Sequence, residues 1–464
     1  MYPILLDKLF KSEKLISKNK FFENLFLSND FFKKKIQVSK NKIYIKPSFA
    51  GDYLLYIHIK DNKIYISESL KNLNIKFEIK EKCISALLEW GLIPFPHTPY
   101  RNTYRIGIGQ SAEIKFKDNL IFLKIIQNHY FDFKEKKISN NYSNNKFEEL
   151  LCSSIEKKIK NSDSTVFMTS AGKDSISLAI ACAELGYNNC RFVTYNDSST
   201  INESDASKEI LKKLNLNQYT IKYSEYKKYK NLNFLDKFFE LSEFPVIDNA
   251  TLPYLISISS MNTHSNVEQI IDGMGNDIYL GHILNNKAKI KFLLSNFNYV
   301  NNRFIEKFGR VSKLRYLIRP HQLTYLPSNY LLGSEIIRIL NLEYDKDFIK
   351  ENFKVPKNLL YNSKYYKALT RGVHYDFGVA MEKARFASAG LNCECFFPWT
   401  DEDLSRYLFN QKNLILFKKN INKFFLRKYL EYKINYSQYK IPKVGFGFNS
   451  ASFILENKRE IRNS

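Results

Sequence analysis

Hydrophobic and polar positions change rhythm once along the chain. Between about residues 41 and 130, apolar residues alternate with polar ones or run together over four to seven positions. Examples are Lys42-Ile-Tyr-Ile-Lys46, Tyr53-Leu-Leu-Tyr-Ile-His-Ile59 and Lys63-Ile-Tyr-Ile-Ser67. Such period-two runs, rich in β-branched and aromatic residues, predict strands. Asp61-Asn62 offers a turn, and the pattern resumes over 112–116 and 120–126. Only Glu81–Trp90 reads as a helix in this part.

A polar stretch over 134–145, ending Asn140-Asn-Tyr-Ser-Asn-Asn145, reads as a linker. Beyond it, short apolar runs alternate with amphipathic ones. Helices are expected over 146–159, 175–185, 203–214 and 253–261, and strands over 165–169, 191–195 and 269–272. Strand-helix repetition implies a parallel sheet with helices on both faces. From about 285 onward the pattern is mainly helical. The expected architecture is therefore α/β: a mostly β domain over 1–133, a linker over 134–145, and a domain with a parallel sheet over 146–464.

Composition narrows the function classes. In 464 residues, 71 Lys and Arg against 47 Asp and Glu give a formal charge of +24, while 44% hydrophobic and 15% aromatic residues exclude a disordered chain. The charge invites a nucleic-acid reading. The lysines, however, are spread over every segment, which favours a generally basic surface. A positive potential also suits a bound anion such as ATP. Six cysteines include no CxxC pair, which argues against a zinc site and a disulfide framework. No stretch approaches the roughly 20 apolar residues of a membrane span, and the start lacks a signal-peptide pattern, so the cytoplasm is expected.

The chemistry concentrates in two glycine-containing turns. After the run Thr165-Val-Phe-Met-Thr169 comes Ser170-Ala-Gly-Lys-Asp-Ser175, which opens into a helix. A helix start offers unpaired N–H donors and partial positive charge to a phosphate. Gly172 permits close backbone approach, the Ser170 and Ser175 hydroxyls can donate to phosphate oxygens, and Asp174 suits Mg²⁺ between phosphates. The loop is not a Walker loop. The second turn, Asp272-Gly-Met-Gly-Asn-Asp277, also follows an apolar strand. At the carboxyl edge of a parallel sheet it would face the same ligand as the first.

The first loop resembles the S-G-G-x-D-S pyrophosphate loop of PP-loop ATP pyrophosphatases, with Ala171 in place of the first glycine. The second, extended to Ile278-Tyr-Leu-Gly281, is similar to segments of asparagine synthetases and, more closely, of β-lactam synthetases. Trp90–Tyr100, Cys393–Asp401 and Lys440–Gly447 resemble further family segments in the same order. The resemblance implies ATP and Mg²⁺ as cofactors, with Ser170, Gly172, Asp174, Ser175, Gly273 and Gly275 around the nucleotide. It makes Asp174 and Asp277 the metal ligands. Lys443 becomes the lysine that holds charge developing near the α-phosphate, and Glu382 approximately matches a catalytic glutamate.

Departures from the family pattern refine the expectation. Tyr2 follows Met1, and the first cysteine is Cys83. The N-terminal domain therefore lacks the cysteine nucleophile that releases ammonia from glutamine in asparagine synthetases. Met274 stands where β-lactam synthetases place a tyrosine, and it can act as neither acid nor base. The expected activity is an AMP-forming carbon–nitrogen ligase that adenylates a small-molecule or peptide carboxylate and couples it to an amine. The competing expectation is a tRNA-modifying PP-loop enzyme that uses the basic surface.

Overall fold

The computed structural model describes residues 35–128, 142–196, 203–222, 250–280, 331–348 and 368–435, short interruptions within these ranges aside, together with a few isolated positions. The chain divides into two compact units. One combines residues 1–136 with 277–378, and the other combines 137–276 with 379–464.

In the first unit, β1 (Ile36–Ser39), β2 (Lys42–Ile45), β6 (Gln110–Lys117) and β7 (Leu120–Gln127) form an antiparallel sheet in the order β1-β2-β6-β7. A second antiparallel sheet has the order β4-β3-β5, built from β3 (Leu55–Lys60), β4 (Lys63–Ser67) and β5 (Thr103–Ile106). Apolar alternation explains the layering. Ile43, Ile45, Ala112, Ile114 and Ile125 of the first sheet share one core with Leu55, Ile57, Ile66 and Ile106 of the second. Helix α1 (Glu81–Trp90) ends at Gly91, whose left-handed φ of 75° lets its N–H close on the Leu87 carbonyl.

The second unit holds a five-stranded sheet in the order β10-β9-β8-β11-β12, parallel throughout. Its strands are β8 (Thr165–Met168), β9 (Arg191–Asn196), β10 (Gln218–Lys222), β11 (Gln269–Asp272) and β12 (Glu394–Phe396). Every residue of β8 and β11 is buried, as central parallel strands covered on both faces require. Helices α2 (Asn144–Glu156), α3 (Lys173–Glu184), α4 (Glu203–Lys213) and α5 (Thr251–His264) precede α6 (Met381–Gly390), α7 (Glu402–Phe409) and α8 (Phe424–Ile434). In α3 the seven residues Ile176 to Cys182 are all buried, and the helix packs between α2 and α8. Helices α5 and α6 pack on each other.

Two expectations shift. Cys393–Asp401 lies in the stretch expected to be mainly helical. There Glu394–Phe396 instead pairs with β11 as the edge strand of the sheet. Its alternation is too short to signal a strand, and its register against β11, with α6 packed on it, stabilises it. The helix expected from Ser175 begins two residues earlier, at Lys173, so that Asp174 and Ser175 belong to its first turn.

Candidate functional site

Strands β8 and β11 lie side by side, with Met168 paired to Asp272 in register. From β8 the chain proceeds to β9 and β10 on one side, whereas β11 and β12 extend the other side. The order therefore reverses between β8 and β11. In an open α/β sheet the crevice outside the carboxyl ends at such a reversal is where ligands bind. Both glycine-containing turns leave the sheet at that point.

The first turn is folded tightly on itself. The Ser170 Oγ accepts the Gly172 N–H at 3.1 Å, and Ser175 Oγ accepts the Ser170 N–H at 3.2 Å. The Ser175 hydroxyl lies 3.1 Å from both the Ser170 and Gly172 carbonyl oxygens. Gly172 occupies the position before α3 and supplies no side-chain cap. A Cβ there would meet Ser170 Oγ at 2.9 Å, so the serine crosses space that only glycine leaves open. An ordinary side-chain cap does not account for this turn.

The second turn packs against the first. A Cβ on Gly273 would lie 3.0 Å from the Ser175 nitrogen and 3.1 Å from its Cα, which sets how closely the two loops approach. Gly275 has a φ of 111°, and a Cβ on it would reach 2.6 Å from Thr400 Cγ2. Next to Thr400, the buried Trp399 donates its indole N–H to the Asp174 carbonyl oxygen at 3.2 Å. The segment after β12 thus braces both loops.

Asp174 is the hub. Its Oδ1 accepts from Asn276 Nδ2 at 2.6 Å and from Lys423 Nζ at 2.9 Å, while Lys423 also donates to Asn276 Oδ1 at 2.6 Å. Lys173 Nζ lies 3.8 Å from Oδ2. Lys423 is only 2% exposed and precedes α8 in the left-handed region, with φ 53° and ψ 48°. A non-glycine residue in that region costs about 1 kcal/mol. Such strain persists only where the surroundings hold the residue in place.

A second polar group lies at the end of β11. The buried Asp272 accepts from the Tyr254 hydroxyl at 2.7 Å and from the Met274 N–H at 2.8 Å. Burial pushes its carboxyl above the ordinary range, against the Tyr254 hydrogen bond, the Lys383 ammonium and the Met274 N–H. Lys383 belongs to α6, which packs on β11. Glu382 precedes it, 1% exposed, with Oε1 held by Arg385 Nη1 at 2.7 Å. Its Oε2 is buried with no hydrogen-bond partner among the described residues.

The structure therefore gathers Ser170, Gly172, Asp174, Ser175, Gly273 and Gly275 at one place. Asp277 follows Asn276 directly but is grouped with the first unit, where it opens the short helix Asp277–Leu280. Lys443 lies outside the described residues. Sequence reasoning missed Lys423, Asn276 and Trp399. Asn276 stood inside the second motif and could have been read as a polar partner. Nothing local distinguishes Lys423 from the other lysines.

No protein-family model and no curated protein matches the chain. Among solved structures it is similar to an NH3-dependent NAD synthetase from Campylobacter jejuni, at 19% identity and a TM-score of 0.23, over 47% of this chain and 98% of that one. A U34-tRNA thiolase from Methanococcus maripaludis shares 16% identity over 53% of this chain and 82% of its own, with a TM-score of 0.25. An NMN synthetase from Francisella tularensis shares 14% over 67% of this chain and 100% of its own, with a TM-score of 0.20. Scores this low say nothing of the chain's activity. Among the described residues, no helix is long and apolar enough to cross a membrane.

Proposed function

We propose that the chain is an ATP-dependent amide synthetase that forms AMP and pyrophosphate. One observation carries the reading. Two glycine-containing turns meet where the strand order reverses, and between them a carboxylate, Asp174, is held by Asn276 and the buried Lys423. This combines a phosphate-binding helix start with a carboxylate and fixed positive charge.

In this reading the β- and γ-phosphates of ATP lie over the start of α3. The Ser175 hydroxyl, whose present partners are carbonyls of its own turn, re-aims toward phosphate oxygens, together with the neighbouring Ser170 hydroxyl, which now accepts the Gly172 N–H. The donor set suits Mg²⁺, a hard cation normally held by one or two carboxylates and substrate phosphates. Asp174 would hold it, with Asp277 as the expected second ligand. When bound, the metal neutralises phosphate charge.

A substrate carboxylate oxygen attacks the α-phosphorus, the α–β bridging bond breaks, and pyrophosphate leaves. The amine lone pair then attacks the acyl carbon, the carbon–oxygen bond to AMP breaks, and one amine proton goes to a base. Glu382 is the candidate base because it offers a buried carboxylate oxygen with no hydrogen-bond partner among the described residues. Lys443 is proposed to stabilise the negative charge on the acyl oxygen. Because Met274 cannot complete an acid–base dyad, an amine of ordinary basicity fits better than a poorly nucleophilic one.

The deciding experiment follows ATP consumption in the presence of candidate carboxylates and amines, with nucleotide products resolved by chromatography. AMP and pyrophosphate in equal amounts support the reading. ADP and orthophosphate as the stoichiometric products would refute it. Salt-sensitive co-purification of tRNA, with adenylation of a base, would favour the nucleic-acid alternative.

A further inference from the structure

Asp174 in this structure is already neutralised from within the protein. Its Oδ1 receives two donors, Lys423 Nζ at 2.9 Å and Asn276 Nδ2 at 2.6 Å, and the Lys173 ammonium stands 3.8 Å from Oδ2. The Asp174 carboxylate thus has two ammonium groups within 4 Å, one of them bonded directly to Oδ1. Lys423 is not a passing surface partner. It is 2% exposed, bonded at the same time to the Asn276 side chain, and fixed by a left-handed backbone. A divalent cation approaching Oδ1 would meet a buried ammonium at the distance of a direct neighbour, where Coulomb repulsion is weakly screened.

We propose that Lys423 acts as a built-in counter-ion that closes Asp174 to divalent metal until polyphosphate arrives, making the resting site an anion site. This rests on the Ser170–Ser175 turn being the polyphosphate site. The arriving phosphates offer anionic acceptors that compete with Asp174 for the ammonium. Lys423 then turns its donors from Asp174 to a phosphate oxygen, and the freed carboxylate oxygen can take the metal that travels with the nucleotide. Asn276 bonds to both partners and guides the exchange by holding Asp174 in place while Lys423 moves. No bond is made or broken in this step; it redistributes hydrogen bonds and charge. Lys423 is in this sense a positioning residue for the nucleotide and its metal.

The test uses the full chain and two probes, Mn²⁺ followed by electron paramagnetic resonance and inorganic pyrophosphate followed by calorimetry in EDTA. Wild-type protein should leave added Mn²⁺ free, bind it once ATP is present, and bind pyrophosphate without metal. Lys423→Met should change the two affinities in opposite directions. Mn²⁺ alone should bind about tenfold or more tightly than to wild type, and pyrophosphate about tenfold more weakly. A merely structural lysine would not produce opposite signs. Lys423→Gln, checked by circular dichroism, covers the case in which the methionine variant fails to fold, and the wild-type measurements need no variant at all. Stoichiometric Mn²⁺ binding to wild type without nucleotide, with ATP binding intact, overturns the proposal but leaves the amide-synthetase reading standing. Failure to bind ATP or pyrophosphate at all overturns that reading and, with it, this one.

Discussion

Lys423 and Asp174 are separated by 249 residues, yet their Nζ and Oδ1 atoms lie 2.9 Å apart. Such a pair, one member almost fully buried, is costly to leave half-made. Removing one partner of a buried pair commonly destabilises by about 3–5 kcal/mol because the other charge is stranded. Asn276 and Lys173 soften that outcome for Asp174 by remaining as partners.

Asp174→Asn should reduce ATP turnover by about a hundredfold or more, the usual scale for losing a charged group at a developing or transferred anion. The amide keeps the shape, so circular dichroism should be unchanged, but the Lys423 ammonium left without its carboxylate should lower the melting temperature. Asp277→Asn should behave alike if it is the second metal ligand. Near-normal turnover in both variants would remove the metal assignment.

Lys443→Ala should slow amide formation by about a hundredfold, on the order of 3 kcal/mol of lost charge stabilisation, while ATP binding weakens little. Calorimetry for ATP beside single-turnover product formation separates the two effects. Unchanged amide formation would show that the lysine has been assigned from the wrong register.

Trp399→Phe removes the indole donor to the Asp174 carbonyl and leaves an aromatic ring in its place. About 1 kcal/mol of stability should go with the hydrogen bond. The KM for ATP should rise several-fold as α3's first turn loosens. A steady-state ATP titration beside a thermal melt checks both, and a change in melting alone would make Trp399 purely structural.

Gly275→Ala and Gly186→Ala make an informative pair. Both glycines have positive φ, 111° and 73°, but only Gly275 is crowded; nothing lies within 4 Å of a Cβ on Gly186. Gly186→Ala should cost about 1 kcal/mol, the backbone effect alone. Gly275→Ala should cost more and depress turnover, because the new methyl meets Thr400. Chemical denaturation of both variants gives the comparison.

His374 sets a pH dependence in the first unit. Burial, aided by the Arg105 guanidinium, pushes its imidazole down to about 4 from an ordinary 6.5. The unfolded chain then binds more protons than the folded one between those values. Stability should therefore be full above about pH 6.5 and fall as the pH drops toward 4, by up to about 3 kcal/mol. His374→Gln should flatten that slope in denaturation curves taken between pH 4 and 7.

The fold was legible where burial dictates pattern. Strands β8 and β11 are short apolar runs bounded by turns, and α3 is marked by an unbroken apolar and small-residue stretch after a polar opening. The two turns were legible because small residues and a carboxylate follow a buried strand, a local signal. Lys423 was not, since its meaning comes from Asp174 and Asn276, far away in the chain. Trp399 sat in a segment noted for resemblance, but its bond to a backbone carbonyl leaves no trace in residue type. β12 is only three residues long and exists through its pairing with β11.

The bracing of both turns from beyond residue 390 has a consequence for synthesis. A nascent chain that has reached that residue carries Ser170–Ser175 and Asp272–Asn276, but neither the Trp399 brace nor the Lys423 ammonium. Chains grow at about 5–20 residues per second. For several seconds, then, Asp174 would lack the Lys423 ammonium, and the crevice outside β8 and β11 would be completed late, by long-range contacts. A ribosome-bound chain stalled before Trp399 should fail to retain ATP, whereas one that displays α8 beyond the exit tunnel should hold it.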